Sequence, residues 1–260
     1  MDPQEQNWKN LTAKHLRDWH GIWTRYDAQG EVTESFRSLR SLSSDRAQTK
    51  IAHRNLYMYP EGNTEEKSWE YNQGTHSLPD GQFNPALSTM RGVFLASGHA
   101  GWVTTQLKTD SYFGAELFFM HEDLRHSVVI LYDEQGNLLR TVNIREDAAG
   151  FPSQYWSTAL QQLPDRNLSG NWQGTSVTIT PDLNISEPVP SKLHWNWEGH
   201  HAFFLPDGVS ISCPDRVIVG TPFILAANWL VTPSDMHELI LKYDESGAFY
   251  SLTLDLLHLI

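Results

Sequence analysis

Two stretches of the chain share one pattern 111 residues apart: His126-Ser127-Val128-Val129-Ile130-Leu131-Tyr132-Asp133-Glu134-Gln135-Gly136 and His237-Glu238-Leu239-Ile240-Leu241-Lys242-Tyr243-Asp244-Glu245-Ser246-Gly247. Each runs from a histidine through an apolar segment to Tyr-Asp-Glu-x-Gly. The apolar segment predicts a buried strand. The tip predicts a tight turn, because Asp bonds its own turn backbone and Gly accepts positive φ. Two further elements recur in the same order, Gly21-Ile22-Trp23 with Gly170-Asn171-Trp172, and Leu-Pro-Asp-Gly at 78–81 and 205–208. Recurrence in register marks a repeated structural unit. The reading is a tandem duplication, with lobe one at residues 1–164 and a smaller lobe two at residues 165–260. Lobe one carries extra length: 115 residues separate Gly21 from Gly136, against 77 between Gly170 and Gly247.

Outside the repeats the pattern is also that of strands. Residues 176–180, 209–213 and 251–256 alternate apolar with polar, which places one face on a core and one in water, as antiparallel sheets do. Residues 217–231 read as two buried strands with a turn. Gly-containing turns recur at 27–30, 60–63, 78–81, 133–136, 205–208 and 244–247, and short strands at such spacing predict barrels or sandwiches. Two helices are expected. The first covers residues 4–17 with Trp8, Leu11, His15 and Trp19 on one stripe; the second is a short connection at 153–163, with Ser153 as N-cap and Tyr155, Trp156 and Leu160 inward.

The chain has 260 residues, 19 Lys+Arg and 31 Asp+Glu, for a formal charge of −12. That length can bury a full core, and the acidic balance disfavours nucleic acid and polybasic membrane contact. No apolar run reaches a membrane span and the N-terminus has no signal-peptide pattern, so a soluble, cytoplasmic protein is expected. The single cysteine, Cys213, excludes an internal disulfide and a zinc ribbon and reads as a small core hydrophobe.

Catalytic patterns are absent: no nucleophile elbow, no phosphate-binding loop ending in Lys, no dinucleotide fingerprint. His121 and His126 are one residue too far apart for a zinc-binding helix, and adjacent His200 and His201 would face opposite ways on a strand. His126 and His237 read as strand-edge hydrogen bonders. No metal, no cofactor and no enzymatic activity are therefore expected. The ten tryptophans leave three readings open: filling of small barrels, lining of a cavity for a flat apolar ligand such as a bilin or fatty acid, or an exposed strip for docking protein. Tyr57, Trp69, Tyr71, Trp102, Trp195 and Trp197 are the candidate cavity-lining residues.

A Gly-x-Trp at the head of each half resembles the calycin, or lipocalin-like, barrels. The resemblance makes Gly21, Trp23, Gly170 and Trp172 the plug of each barrel. It also implies a basic side chain stacked on the tryptophan, Arg140 or Arg145 in lobe one, whereas residues 249–256 of lobe two offer none. Over nearly its whole length, through Trp19-His20-Gly21-Ile22-Trp23-Thr24, Tyr26-Asp27 and the two hairpins, the chain resembles a cyanobacterial and plastid double-calycin family, a domain of unknown function related to the plant Biogenesis Factor required for ATP synthase. The resemblance implies an all-β protein of two tandem lipocalin-like antiparallel barrels with an N-terminal and a short connecting helix. It further implies a non-enzymatic binding or assembly factor whose protein partner is a subunit of the ATP synthase catalytic head. The alternative is a carrier of a bilin or fatty acid, or a bilin lyase, although S-type bilin lyases resemble a single barrel.

Overall fold

The computed structural model describes residues 2–260 except 169 and 196. After helix α1 (Pro3–His15), lobe one consists of β1 (Asp18–Asp27), β2 (Val32–Ser44), β3 (Lys50–Met58), β4 (Thr64–Asn72), a four-residue helix α2 (Gln73–His76), β5 (Ser77–Leu78), β6 (Gly81–Phe83), β7 (Met90–Phe94), β8 (Ala100–Thr104), β9 (Phe113–His121), β10 (Leu124–Tyr132) and β11 (Leu138–Asp147). Lobe two consists of β12 (Trp172–Ile179), β13 (Val189–Lys192), β14 (His200–Phe204), β15 (Val209–Pro214), β16 (Phe223–Thr232), β17 (Asp235–Tyr243) and β18 (Phe249–Leu259).

Lobe one is an eleven-stranded antiparallel sheet in the order β4-β3-β2-β1-β11-β10-β9-β8-β7-β6-β5, curled until its two edge strands are joined by α2 alone. Lobe two is a seven-stranded sheet ordered β13-β12-β18-β17-β16-β15-β14. The second order reproduces the first once β3 to β6 are removed. The extra length of lobe one is thus an insertion of four strands between β2 and β7, which widens that barrel.

Strand register corrects two of the three repeats. His20 pairs with Asp147, and Asp147 with Leu124; Gln173 pairs with His258, and His258 with Asp235. The hairpins therefore superpose His20 on Gln173, and the matching tryptophans are Trp19 and Trp172, not Trp23 and Trp172. The true repeat is Trp-x-Gly: Trp19-His20-Gly21 and Trp172-Gln173-Gly174. Trp19 is fully buried, its Nε1 donating to the His15 carbonyl at 3.1 Å. The cation across it is Arg125, 4.4 Å from the ring centroid, rather than Arg140 or Arg145. In lobe two, Met236 stands at the equivalent position and packs on Trp172. The two Leu-Pro-Asp-Gly sequences are not equivalent either. Residues 78–81 turn from β5 to β6 inside the insertion, whereas 205–208 join β14 to β15.

The Tyr-Asp-Glu-x-Gly repeat does more than turn a hairpin. Tyr132 Oη donates to the Pro214 carbonyl and Tyr243 Oη to the Thr104 carbonyl, each at 2.9 Å. The Leu107 amide donates to Gly247 at 2.7 Å and the Val217 amide to Gly136 at 2.8 Å. Each lobe's hairpin tip thus grips the other lobe through the same atoms, a two-fold arrangement like that of a symmetric dimer. A Cβ on Gly136 would lie 2.2 Å from the Val217 carbonyl, so glycine is required for the approach as well as for its φ of +79°. Between the tips, Ala115, Leu117, Phe119, Val128 and Ile130 pack with Leu225, Ala227, Leu239, Leu241, Leu252 and Leu254 in one continuous core. Each fully buried leucine or phenylalanine there contributes about 2 kcal/mol. Cys213 lies in the same core, and burial pushes its thiol up to about 12.

Helix α1 has Pro3 in its first turn and Lys14 and His15 in its last, which suits the backbone geometry and the dipole. It ends before Arg17, because Asp18 already belongs to β1, so Trp19 is a strand residue and not part of the helical stripe. Trp8 and Leu11 enter the lobe-one core, while Asn7 and Asn10 bond the β7 backbone at Gly92 and Phe94 over 2.7–2.9 Å.

The expected helix at 153–163 is not formed. Ser153 Oγ accepts from the Tyr155 and Trp156 amides in a local turn, and the Ser157 amide is taken by Asp207 of lobe two at 3.0 Å. Arg145 holds the same segment by bonding the Ser157 carbonyl and Asp207. These tertiary bonds satisfy the backbone without a helix. Likewise, of residues 217–231 only those from Phe223 onward form a strand, and 217–222 are a loop closing on the Gly136 tip.

His126 and His237 are not at sheet edges. They occupy central strands and face the interlobe core, His126 bonded to Asn143 Oδ1 and His237 Nδ1 lying 3.0 Å from His99 Nε2. Burial pushes His126 down to about 3 and His237 down to about 4, and it lowers His15, His53 and His99 well below the usual value. An imidazole with a depressed native pKa binds its proton more readily in the unfolded chain. Stability is therefore complete above about pH 6.5 and is lost as the pH falls towards these lowered values. The urea midpoint is expected to drop steadily between pH 7 and pH 4.5, and a flat profile would contradict the neutral assignment. Glu238, raised by burial and then by Asp255, acts in the opposite direction, so a Glu238→Gln background isolates the histidines.

Candidate functional site

The insertion of β3 and β4 gives lobe one a cavity of about 290 Å³, walled by Trp23, Tyr57, Trp69, Tyr71 and Trp102, with Arg40, His53, Asn55, Lys67 and Glu116 among them and Asn84, Ala86 and Leu87 at its rim. Alternation puts these side chains on one face. In β3, His53, Asn55 and Tyr57 all point inward, and β4 answers with Trp69 opposite His53 and Lys67 opposite Asn55. Four of the six predicted lining residues, Tyr57, Trp69, Tyr71 and Trp102, thus meet in a single cavity. Trp23, expected as a plug, is instead part of its wall, stacked on Phe36 at 5.7 Å and donating to Ser38 Oγ at 2.8 Å. Trp195 and Trp197 are elsewhere. Trp195 lines a separate depression of about 410 Å³ on lobe two with Arg166, Leu193 and Phe204, and Trp197 stacks near His194 and His200. Gly170 neighbours the same depression and Trp172 packs in the small core beside it.

The inner wall carries a one-way hydrogen-bond chain. Trp69 Nε1 can only donate, and it does so to Tyr71 Oη at 2.7 Å. Tyr71 must then donate onward, to His53 Nδ1 at 3.4 Å. His53 is neutral, because burial and then Arg40 lower its pKa well below the usual value. Its remaining proton sits on Nε2 and goes to Asn55 Oδ1 at 3.0 Å, and Asn55 Nδ2 donates to Tyr57 Oη at 3.0 Å. Tautomer and amide orientation are thus assigned from the indole outward. The chain ends on the Tyr57 hydroxyl, whose own proton is left to donate into the cavity.

Below this wall lies a compensated charge cluster. Arg40 bonds Glu116 Oε1 at 3.3 Å and approaches Glu146 at 3.3 Å, while Arg125 Nε bonds Glu146 Oε2 at 2.6 Å. Burial opposes both guanidinium charges; at Arg40 the Glu146 and Glu116 carboxylates more than offset it, and at Arg125 they do not. Arg40 also lies 5.2 Å over the Trp23 ring. The cavity floor is fixed, and its exposed chemistry is aromatic faces, one hydroxyl donor and the Lys67 ammonium at the rim. Sequence reading missed Arg40, His53, Asn55, Lys67 and Glu116. The signal was present in β3, where every second residue, His53, Asn55, Tyr57, is polar or amphipathic. That pattern looks like a wet outer face unless the barrel interior is itself polar.

Among the described residues, no three His, Cys, Asp or Glu side chains converge as a metal-binding group, and no helix is long and apolar enough to cross a membrane.

Fold and cavity together define an all-β protein of two barrels in tandem, the first enlarged and aromatic-lined. Residues 4–151 match the N-terminal domain of DUF3598, a domain of unknown function, and the chain belongs to that family. Residues 198–256 match the C-terminal domain of biogenesis factor required for ATP synthase 1. The fold is shared with a DUF3598-family protein of unknown function from Nostoc punctiforme, whose crystal structure superposes with a TM-score of 0.75 at 21% identity, over 98% of this chain and 99% of that one. No curated protein matches the chain.

Proposed function

We propose that this protein is a non-enzymatic assembly factor that acts through protein–protein contacts in building the ATP synthase catalytic head. The observation that carries the reading is the match of residues 198–256, most of lobe two, to the C-terminal domain of a biogenesis factor for that enzyme. The reciprocal tyrosine and glycine contacts between the lobes favour it, because they make the two barrels one scaffold able to present a continuous surface. Its place of action is a soluble compartment, the cyanobacterial cytoplasm or its plastid equivalent. Affinity capture with the full chain from a cyanobacterial lysate is expected to recover a catalytic-head subunit, and deletion of the gene is expected to reduce assembled synthase. Capture of no head subunit together with normal synthase levels would falsify the assignment.

A second reading, ligand carriage, is favoured by the aromatic cavity of lobe one. A dry cavity of about 150 Å³ holds benzene, so about 290 Å³ suits a molecule of roughly two fused rings and is too small to enclose a linear tetrapyrrole. The Tyr57 proton selects a ligand bearing a carbonyl or carboxylate oxygen. Titration with 2-naphthoate is expected to give saturable 1:1 binding, weakened about tenfold in Tyr57→Phe by loss of one hydrogen bond. Absence of saturation sets this reading aside.

A further inference from the structure

The inner face of lobe two carries one polar row across five strands. Ser176 of β12 pairs with Asp255 of β18, Asp255 with Glu238 of β17, Glu238 with Asn228 of β16, and Asn228 with Ser210 of β15. Directly opposed residues on one face have Cβ atoms about 5 Å apart, so these side chains adjoin. The equivalent row in lobe one reads Trp23, Ile144, Ser127, Phe118, Ala100. Where the row in lobe one has Ser127 as its single polar side chain, that in lobe two has two carboxylates, a carboxamide and two serines.

Among the described residues, none of the three has its charge or dipole fully compensated. Glu238 and Asn228 are 0% exposed and Asp255 is 2% exposed. Both carboxylate oxygens of Glu238, Oδ1 of Asp255, and both amide atoms of Asn228 lack a hydrogen-bond partner. Burial and then the neighbouring Asp255 carboxylate oppose ionisation of Glu238, and the nearby His194 main chain offsets them only in part. Arg166, which bonds Ser210 Oγ at the end of the row and the Gly208 and Leu205 carbonyls, forms no ion pair with either acid. A buried unpaired carboxylate is among the costliest groups a fold can hold, and an orphaned buried carboxamide adds to that cost. Four unsatisfied oxygen atoms, Oε1 and Oε2 of Glu238, Oδ1 of Asp255 and Oδ1 of Asn228, on three neighbouring strands mark a missing counter-ion.

We propose that the interior of lobe two binds a hard metal cation between Glu238, Asp255 and Asn228, through their carboxylate and amide oxygens. The donor set decides the class. It is all oxygen, with neither thiolate nor imidazole, which suits calcium, magnesium or manganese rather than zinc or copper. Ser176 completes the row beside Asp255. The depression lined by Trp195 and Phe204 adjoins the Ser210 end of the row, since Phe204 pairs with Ser210. This site is separate from the lobe-one cavity and rests on neither reading of function above.

The test is thermal unfolding and calorimetry of the full chain after removal of metal with chelator, followed by titration with calcium, magnesium or manganese chloride. One of these ions is expected to bind 1:1 and, at a hundredfold excess over its dissociation constant, to raise the melting midpoint by about 5 °C. Glu238→Gln keeps the shape and removes a charge, so it is expected to melt no lower than the chelated wild type while losing at least tenfold in ion affinity. Asp255→Asn should behave alike. A midpoint indifferent to all three ions means that the acids are satisfied by a shared proton and water, and overturns the proposal. An ion response retained in Glu238→Gln places the ion elsewhere and overturns it equally.

Discussion

Replacing Glu146 by leucine is expected to destabilise the protein by about 3–5 kcal/mol, the cost of leaving a buried partner charge uncompensated. Glu146 is fully buried between Arg125 and Arg40, and only Arg40 has a second carboxylate, Glu116, in hydrogen-bond reach. Arg125 would keep the Trp19 face and lose its ion pair. Lobe two shows the remedy, because its register places Met236 where lobe one has Arg125, and Leu257 where it has Glu146. The double variant Arg125→Met, Glu146→Leu copies that solution and is expected to recover most of the loss, since an apolar pair of similar volume replaces a buried ion pair at little cost. Urea unfolding of the wild type, the single variant and the double variant measures both numbers. A single variant as stable as the wild type would show that water reaches the cluster.

Gly174→Ala should cost about 3 kcal/mol or more, at the severe end of overpacking. A Cβ at residue 174 would lie 1.8 Å from the Leu256 carbonyl, a backbone atom of the neighbouring strand that cannot rotate away. Gly170→Ala meets only the end of the Leu259 side chain, at 2.5 Å, and suffers chiefly from its φ of +144°, so about 1 kcal/mol is expected. The comparison tests which glycine belongs to the repeat. Trp-x-Gly predicts that residue 174 dominates, and Gly-x-Trp predicts residue 170. Thermal melting of the two variants decides between them.

The strands were legible because their signal is local. Alternation in residues 209–213 and 251–256, and the Asp–Gly tips at 133–136 and 244–247, need no tertiary knowledge to interpret. The cavity was half legible. Aromatic residues spaced two apart, such as Trp69 and Tyr71, announce one crowded face, but which face is concave depends on how the sheet curls. For that reason Arg40 did not read as a site residue at all, while Trp23 read as a plug through the resemblance of Gly-x-Trp to the calycin barrels. Residues 153–163 failed differently: a sequence with a serine cap and inward apolar residues is held out of a helix because Arg145 and Asp207, distant in the chain, take its backbone groups.

The amino-acid sequence alone determined that this chain is β-rich, duplicated and built on two copies of one hairpin, since periodicity, turn chemistry and repetition are properties of neighbours along the chain. Only the tertiary structure decided that Trp19 rather than Trp23 matches Trp172, that the repeated tyrosines clasp the opposite lobe, and that two carboxylates lie side by side inside the second barrel with no ion pair among the described residues. Those facts depend on strand register and closure. A one-residue shift in pairing reverses which side chains face inward, and no local pattern records it.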